Sequence, residues 1–170
     1  MNCPFVRHGG VLLAIAVAFM AYVPSGCDSS STFDQNKDTA KALVHSAATI
    51  ISETVKTMGS EQERVDFIRS FISDIRFYSD RSGYFYVYNA ACVNIAHATQ
   101  PDLVGQNLYD YTDSRGTYVI RELLAAAQNG GGYVEYYWIK PGEDGERLKV
   151  GYVEMIPGTV YFIGTGVYIE

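Results

Sequence analysis

The chain has 170 residues, of which 48% are hydrophobic and 14% aromatic, and its formal net charge is −6. This apolar content excludes a wholly disordered chain, and the length leaves room for one compact domain. The acidic balance argues against binding to nucleic acid or to an anionic lipid surface.

The first 26 residues have the features of a secretory leader. Arg7 supplies positive charge, an apolar run covers residues 11–23, and small residues precede Cys27. The apolar run is shorter than the roughly 20 residues needed to cross a bilayer. We therefore predict that residues 1–26 are a signal peptide. Its removal takes away Arg7 and no acidic residue, so the mature chain is more acidic still.

The end of this leader resembles the lipobox of bacterial lipoproteins, since Ser25 and Gly26 occupy the small positions before Cys27. The resemblance implies a lipid on Cys27 and export to the periplasmic or extracellular face of a bacterial membrane. Ordinary secretion and an uncleaved membrane anchor are the alternatives. The polar residues that follow predict a flexible tether over residues 27–35 and a folded domain over residues 36–170.

Helical periodicity begins after this tether. Apolar residues recur at three- and four-residue steps over residues 40–58, and Gly59 ends the run. Ser60 and Glu63 form a capping-box pattern for a second helix, whose apolar stripe extends to Ile75. The two segments are either one kinked helix or a hairpin.

The remaining chain predicts five strands and one short helix. The predicted strands cover residues 84–89, 92–96, 133–140, 148–155 and 160–168. The short helix is predicted over residues 116–128, with Asp113 as its cap. Because tight turns join neighbouring strands, the fold class is α+β: a five-stranded antiparallel sheet with the N-terminal helices on one face.

Short motifs from residue 83 onward occur in a characteristic order and spacing. They are Gly83–Asn89, Ala96-His97, Gly105, Asp113, Gly116, Gly132–Pro141, Lys149 and Ile163–Tyr168. With these motifs, residues 76–170 resemble the single Cache domain of bacterial extracytoplasmic sensors, and the preceding helices fit its N-terminal helix. The resemblance implies a PAS-like sheet with a small-molecule pocket on the face away from that helix. Members of this family often sense short organic acids.

Strand alternation sorts the residues that could face such a pocket. Tyr84, Tyr86 and Tyr88 share one face of their strand, whereas Phe85 and Val87 share the other, which should meet the helices. Aromatic side chains with polar tips suit a pocket wall, and a carboxylate ligand needs a cation. The predicted ligand-binding residues are Arg76, Tyr84, Tyr86, Tyr88, His97, Tyr136, Trp138 and Lys149.

Each of these residues has a structural alternative. The tyrosines could be ordinary half-buried sheet aromatics, and His97 could bond a loop carbonyl. Arg76 could be a surface charge at a helix end, so Lys149 is our first choice of cation. Lys140 lies beside a Pro-Gly turn, where a solvated hairpin end is the expected role.

No catalytic, cofactor or metal site is predicted. Ser114 lacks a nucleophile-elbow context, and no two histidines have metal-ligand spacing. With Cys3 in the leader and Cys27 lipidated, Cys92 stands alone in the mature chain and should be a small core residue. These observations argue against an enzyme.

The sequence therefore suggests a lipid-anchored module that senses a small molecule. The expected ligand class is the short organic acids. Most family members continue into a second membrane span and a signalling domain, whereas this sequence stops at Glu170. We expect output through a separate transmembrane receptor or transporter. The alternative is a structural or interaction lipoprotein whose pocket is filled by its own aromatic side chains.

Overall fold

The computed structural model describes residues 29–169, so the predicted signal peptide and Cys27 lie outside the described residues. Two helices come first, α1 (Ser29–Val55) and α2 (Glu61–Ile72). The N-terminal helical region is thus two helices and not one. The predicted capping box at the start of α2 is confirmed: Glu63 N donates to Ser60 Oγ at 3.2 Å, and Glu63 Oε2 accepts from Ser60 N.

The structure corrects the tether prediction from Ser29 onward, because residues 29–35 form the first turns of α1. A polar, serine-rich composition suggested a linker. However, Phe33 within it packs against the core, and the Lys37 ammonium lies 5.5 Å from the centre of its ring. Phe33 therefore gives these turns an apolar contact that the polar composition of the segment does not predict.

Five strands form one antiparallel sheet in the order β2-β1-β5-β4-β3. The strands are β1 (Tyr86–Asn89), β2 (Asn94–His97), β3 (Gly132–Ile139), β4 (Glu146–Met155) and β5 (Tyr161–Tyr168). The predicted α+β fold class is confirmed. The central strand is β5, which pairs with β1 on one side and β4 on the other, and all eight of its residues are buried.

Strands β1 and β2 are shifted from their predicted limits. Tyr84 precedes the ladder, and its carbonyl oxygen accepts a hydrogen bond from Thr165 Oγ1 at 2.6 Å instead. Cys92 belongs to the turn between the strands, where it has a φ of 60°. Asn89 Oδ1 organises this turn by accepting from Ala91 N and Val93 N. Cys92 is fully buried, which confirms its prediction as a core residue.

The sheet has a core on each face. On one face α1 and α2 pack against Phe85 and Val87, as the alternation predicted. The other face is covered by the short helix α3 (Val119–Gln128), whose buried side chains meet the tyrosines of β1. The second core is therefore closed by a helix whose position the sequence analysis did not assign.

Helix α3 begins three residues later than predicted, with Tyr118 as its N-cap and no side-chain cap. The predicted capping role of Asp113 is wrong. Its carboxylate accepts from Arg115 N, Thr117 N and Tyr137 N, each at 2.9 Å. Asp113 thus fixes the loop before α3 to strand β3.

None of the helices in the described range combines the length and apolar character needed to cross a bilayer. Over the same range, no cluster of three or more His, Cys, Asp or Glu side chains could hold a metal ion.

Candidate ligand-binding cavity

A small cavity lies between the sheet and α3. Its volume is about 10 Å³, the space that one water molecule needs. The side chains around it are Tyr84, Tyr86, Tyr88, His97, Val119, Ile120, Leu123, Tyr136 and Trp138. The structure thus brings six of the eight predicted ligand-binding residues to one cavity.

The alternating geometry of the strands puts the aromatic side chains there. Tyr84, Tyr86 and Tyr88 are almost completely buried on the α3 side of the sheet. Tyr136 and Trp138 on β3 share that face and are buried as well. The face assignment made from the sequence is confirmed for both strands.

Glycines form the floor beneath these rings. A Cβ atom on Gly151 would lie 2.8 Å from Tyr136 Cε1, and one on Gly164 would lie 2.6 Å from Tyr86 Cε2. A Cβ on Gly166 would come within 2.9 Å of Lys149 Cε. The neighbouring strands and side chains therefore pack closely against Gly164 and Gly166. Larger residues there would push the rings and the lysine toward α3.

The tyrosine hydroxyls pair with one another. Tyr84 Oη lies 3.2 Å from Tyr168 Oη, which donates its own hydrogen to the Ile139 carbonyl oxygen at 2.7 Å. Tyr84 is therefore the donor in its pair. Tyr86 Oη and Tyr136 Oη lie 3.1 Å apart, so one hydroxyl hydrogen of this second pair is not used within it. That hydrogen is available to a ligand.

Burial keeps these hydroxyls protonated. It raises the pKa of Tyr84 to about 12, and it raises the pKa of Tyr86 and Tyr136 further. At neutral pH the aromatic wall therefore offers neutral hydrogen-bond donors and no phenolate.

His97 is held as a neutral ring. Its Nδ1 accepts from Gln100 N at 3.1 Å, so the proton of the neutral imidazole is on Nε2. Burial, helped by the charges of Lys149 and Arg76, lowers the pKa of His97 to about 3. Its ring is stacked against Trp138 at 6.3 Å between centroids. His97 thus has a structural bond at Nδ1, to a loop N–H and not to a carbonyl, and a donor at Nε2.

Trp138 contributes apolar surface to the cavity but no free hydrogen-bond donor. Its indole Nε1 donates to Gln100 Oε1 at 2.7 Å, so this hydrogen is already used. Gln100 thereby bonds both His97 and Trp138 and fixes the two rings against each other.

Lys149 is not among the side chains around the cavity, but it contacts the rings of two of them, Tyr84 and Tyr86, and is completely buried. Its Nζ has no hydrogen-bond partner among residues 29–169. It lies 4.0 Å from the centre of the Tyr84 ring, 4.8 Å from that of Tyr168 and 5.6 Å from that of Tyr86. Burial lowers the pKa of Lys149 to about 7, because the rings do not replace the lost hydration of the ammonium.

The other two basic candidates lie elsewhere. The Arg76 guanidinium donates to the carbonyl oxygens of Ser73, Ile75 and Ala98, and it does not line the cavity. It joins the end of α2 to the segment after β2. Lys140 forms ion pairs with Asp80 and Glu143 at 3.2 and 3.3 Å near the β3–β4 turn, in keeping with its expected hairpin position.

Sequence reasoning missed the roof of the cavity and one buried amide. Val119, Ile120 and Leu123 of α3 form the roof, and their helical spacing was the signal available. Asn94 is completely buried opposite Tyr88, and its carboxamide partly offsets the effect of burial, which raises the pKa of the Tyr88 hydroxyl. A register shift between Val87 and Tyr88 hides this position from a simple alternation rule.

The chain matches a known protein family and two curated relatives. The family model described as Cache domain matches residues 24–170. The sensor histidine kinase MctS of Rhizobium johnstonii is 32% identical over 149 residues, which cover 84% of this chain and 32% of the kinase. The methyl-accepting chemotaxis protein McpP of Pseudomonas putida is 29% identical over 118 residues, which cover 69% and 21%. The chain thus spans a third or less of the length of these relatives.

Solved structures agree with the family match. A methyl-accepting chemotaxis protein from Vibrio parahaemolyticus has a TM-score of 0.73 and 31% identity, covering 83% of this chain and 93% of that one. A Cache chemosensory domain solved to explain carboxylic acid recognition has a TM-score of 0.71 and 24% identity, with coverage of 84% and 99%. The chain therefore belongs to the Cache domain family of extracytoplasmic sensor domains.

Proposed function

We propose that this domain is a sensing module that binds a short organic acid, as the carboxylate, in the cavity between the sheet and α3. The observation that carries the proposal is Lys149, a completely buried lysine whose Nζ has no partner in the described part of the chain. A buried ammonium without a counter-charge is costly, and a ligand carboxylate would supply that charge.

The polarity of the cavity supports an anion. None of the residues around it is acidic, and its free polar groups are donors: His97 Nε2 and one hydroxyl hydrogen of the Tyr86–Tyr136 pair. A charge-assisted hydrogen bond contributes about 1.5–3 kcal/mol, and micromolar affinity needs about 8 kcal/mol. Lys149, two neutral donors and apolar contact with α3 can together reach that range.

The size of the cavity favours small acids. Its present volume suits about one water molecule, so even a two-carbon acid requires outward movement of α3 or of the aromatic side chains. Each additional methylene group would require more movement of Val119, Ile120 and Leu123. The carboxylic acid recognised by the Cache domain of similar fold is consistent with this ligand class.

A thermal-shift series with the full chain tests this proposal. We expect acetate, propionate, pyruvate or succinate to raise the melting temperature, and amines of similar size to leave it unchanged. Lys149→Met should abolish the shift because it removes the buried amine that lies against the Tyr84 and Tyr86 rings of the cavity. Lys56→Met, on an exposed side chain after α1, is the matched control and should keep the shift.

Two results would count against the carboxylate proposal. One is the absence of a shift with every acid in the series. The other is an unchanged shift in Lys149→Met, which would remove the lysine from the site.

We also propose that the domain is held at the membrane by a lipid on Cys27, a residue outside the described range. The leader-like composition of residues 1–26 supports this anchor. Acyl chains insert into one leaflet and do not cross the bilayer. A signal from a domain held only in this way would have to pass to a separate membrane receptor or transporter.

The anchor has a direct test in cells. Growth with a radioactive fatty acid should label the protein, and Cys27→Ser should lose the label, whereas Cys92→Ser should retain it because Cys92 is buried in the domain. Label retained in Cys27→Ser would put the lipid on another residue, and no label in either chain would leave ordinary secretion or an uncleaved membrane anchor.

A structural or interaction role is the second candidate, and the small cavity volume favours it. In that case the aromatic side chains fill their own pocket. This reading leaves Lys149 Nζ buried without a partner in the described range, at about 1–3 kcal/mol for an unsatisfied group. A ligand explains this group better, so we favour the sensing role.

A further inference from the structure

The surroundings of Lys149 make its protonation depend on what occupies the cavity. The residue lies in the middle of β4, paired with Tyr136 on β3 and Tyr168 on β5. Its Nζ lies 4.8 Å from the centre of the Tyr168 ring and 4.0 Å from that of Tyr84, which precedes β1. Glycine at position 166 leaves room for its aliphatic chain, so the side chain is enclosed along its length.

No group facing Lys149 supplies a negative charge at neutral pH. Tyr84 lies just before β1, β1 presents Tyr86, β3 presents Tyr136 and β5 presents Tyr168, and burial raises the pKa of each hydroxyl. Strand β2 presents His97, which is neutral. Arg76 is positive, which helps to lower the pKa of His97, and it adds no counter-charge.

We propose that the cavity binds a carboxylate together with a proton, because the enclosed Nζ of Lys149 has no partner in the described range and gains a counter-charge only when the anion enters. The proton comes from solvent to the Nζ amine, no covalent bond to the ligand forms, and the product is an ammonium–carboxylate ion pair. This inference rests on the proposed function. It makes the sensor respond to the acid and to pH jointly.

Electrostatics gives the direction of the coupling. The pKa of Lys149 is about 7 in the empty cavity, and a carboxylate within about 4 Å would raise it because opposite charges favour ionisation. His97 does not compete for this proton, since its pKa of about 3 lies well below the relevant range. Above pH 7, binding must therefore draw a proton to Lys149.

The size of the effect follows from linkage. Below about pH 6 the lysine is already charged, so affinity is nearly independent of pH. Above pH 7 the affinity falls by almost tenfold per pH unit, which amounts to roughly fifty-fold between pH 7 and pH 9. Proton uptake on binding should approach one per site at pH 8.5 and fall towards zero at pH 5.5.

Calorimetry with propionate and the full chain tests the coupling. Titrations at pH 8.5 in two buffers with different ionisation enthalpies should differ by nearly one proton per site, and the same pair at pH 5.5 should agree. Lys56→Met should behave as the unmodified chain does. If propionate binds with no proton uptake and with equal affinity at pH 7 and pH 9, the coupling is wrong while the sensing function stands.

A second measurement does not depend on affinity. In the chain labelled with ¹³C-lysine, the Lys149 Cε signal, assigned by its loss in Lys149→Met, should titrate near pH 7 without ligand. Saturating propionate should move that titration upward by about three pH units, back towards the ordinary lysine value of 10.5. A Lys149 signal that titrates near its ordinary value without ligand would overturn the proposal, and the absence of propionate binding in every measurement would overturn the proposed function as well.

Discussion

Lys149→Met is expected to make the unliganded domain more stable while removing its response to carboxylates. The ordinary pKa of a lysine is 10.5, and that of the buried Lys149 is about 7, so the folded state resists a charge that the unfolded chain accepts freely. Below pH 7 the folded domain bears the full free-energy cost of a charged, buried Lys149. Methionine fills a similar volume without a charge and should raise the free energy of unfolding by roughly 2–5 kcal/mol at pH 6.

The sign of the pH dependence is fixed by proton counting. Between pH 7 and pH 10.5 the unfolded chain holds a proton on Lys149 that the folded chain has released, so the native protein gains stability as the pH rises. The advantage of Lys149→Met should therefore shrink from pH 6 to pH 9. Urea denaturation at both pH values measures this difference, with Lys56→Met as the control that changes it little.

A Lys149→Met variant less stable than the native chain at pH 6 would contradict the buried, unpaired ammonium. A stabilised variant that no longer responds to acids would show a site kept for binding at a cost in stability, as is common where function needs an unfavourable group.

Asp113→Ala is expected to cause the second large effect, a loss of about 2–4 kcal/mol in the free energy of unfolding. Its two carboxylate oxygens accept three backbone N–H bonds that join the loop before α3 to β3. Alanine would leave Arg115 N, Thr117 N and Tyr137 N without this acceptor. Bonds to charged groups contribute about 1.5–3 kcal/mol each, and they are not additive within one cluster.

The pH dependence of Asp113 has the opposite origin to that of Lys149. Burial alone would raise the pKa of its carboxyl group, but the three backbone bonds outweigh burial and lower it. The stabilisation by Asp113 is therefore complete above its ordinary pKa and is lost as the pH falls through the lowered value in strongly acidic solution. Asp113→Ala should accordingly lose most at neutral pH.

Thermal and urea denaturation would measure this change against Asp110→Ala, in the same loop. Asp110 is highly exposed and pairs only with Arg121, so its removal should change stability by less than about 1 kcal/mol. Equal effects of the two substitutions would show that Asp113 does not hold the loop in solution.

Local rules were sufficient for the parts of the molecule that depend on local geometry. Alternation along Tyr84–Tyr88 separated the cavity face from the helix face because the period of a strand is fixed at two. The capping box at Ser60 was predictable because both partners lie within one turn.

Long-range packing determined what local rules missed. The periodicity of α3 shows which of its own faces is apolar, but not which face of the sheet it covers. The Arg76 guanidinium donates to three carbonyl oxygens. Their positions depend on how α2 packs against the end of β2, which local rules do not predict. Phe33, in the polar segment predicted as a linker, packs against the core on the helix side of the sheet. The volume of the cavity likewise depends on how the sheet and α3 pack together, so no single strand predicts it.

The position of β5 has a consequence for the order of folding. Strands β1 and β2 can pair locally, as can β3 and β4, but the two pairs join only through β5, the last strand in chain order. Contacts between β1 and β5 span more than 70 residues, and such long-range pairing is slow because a long loop must close first. The two cores can therefore be completed only after Tyr168 has been synthesised.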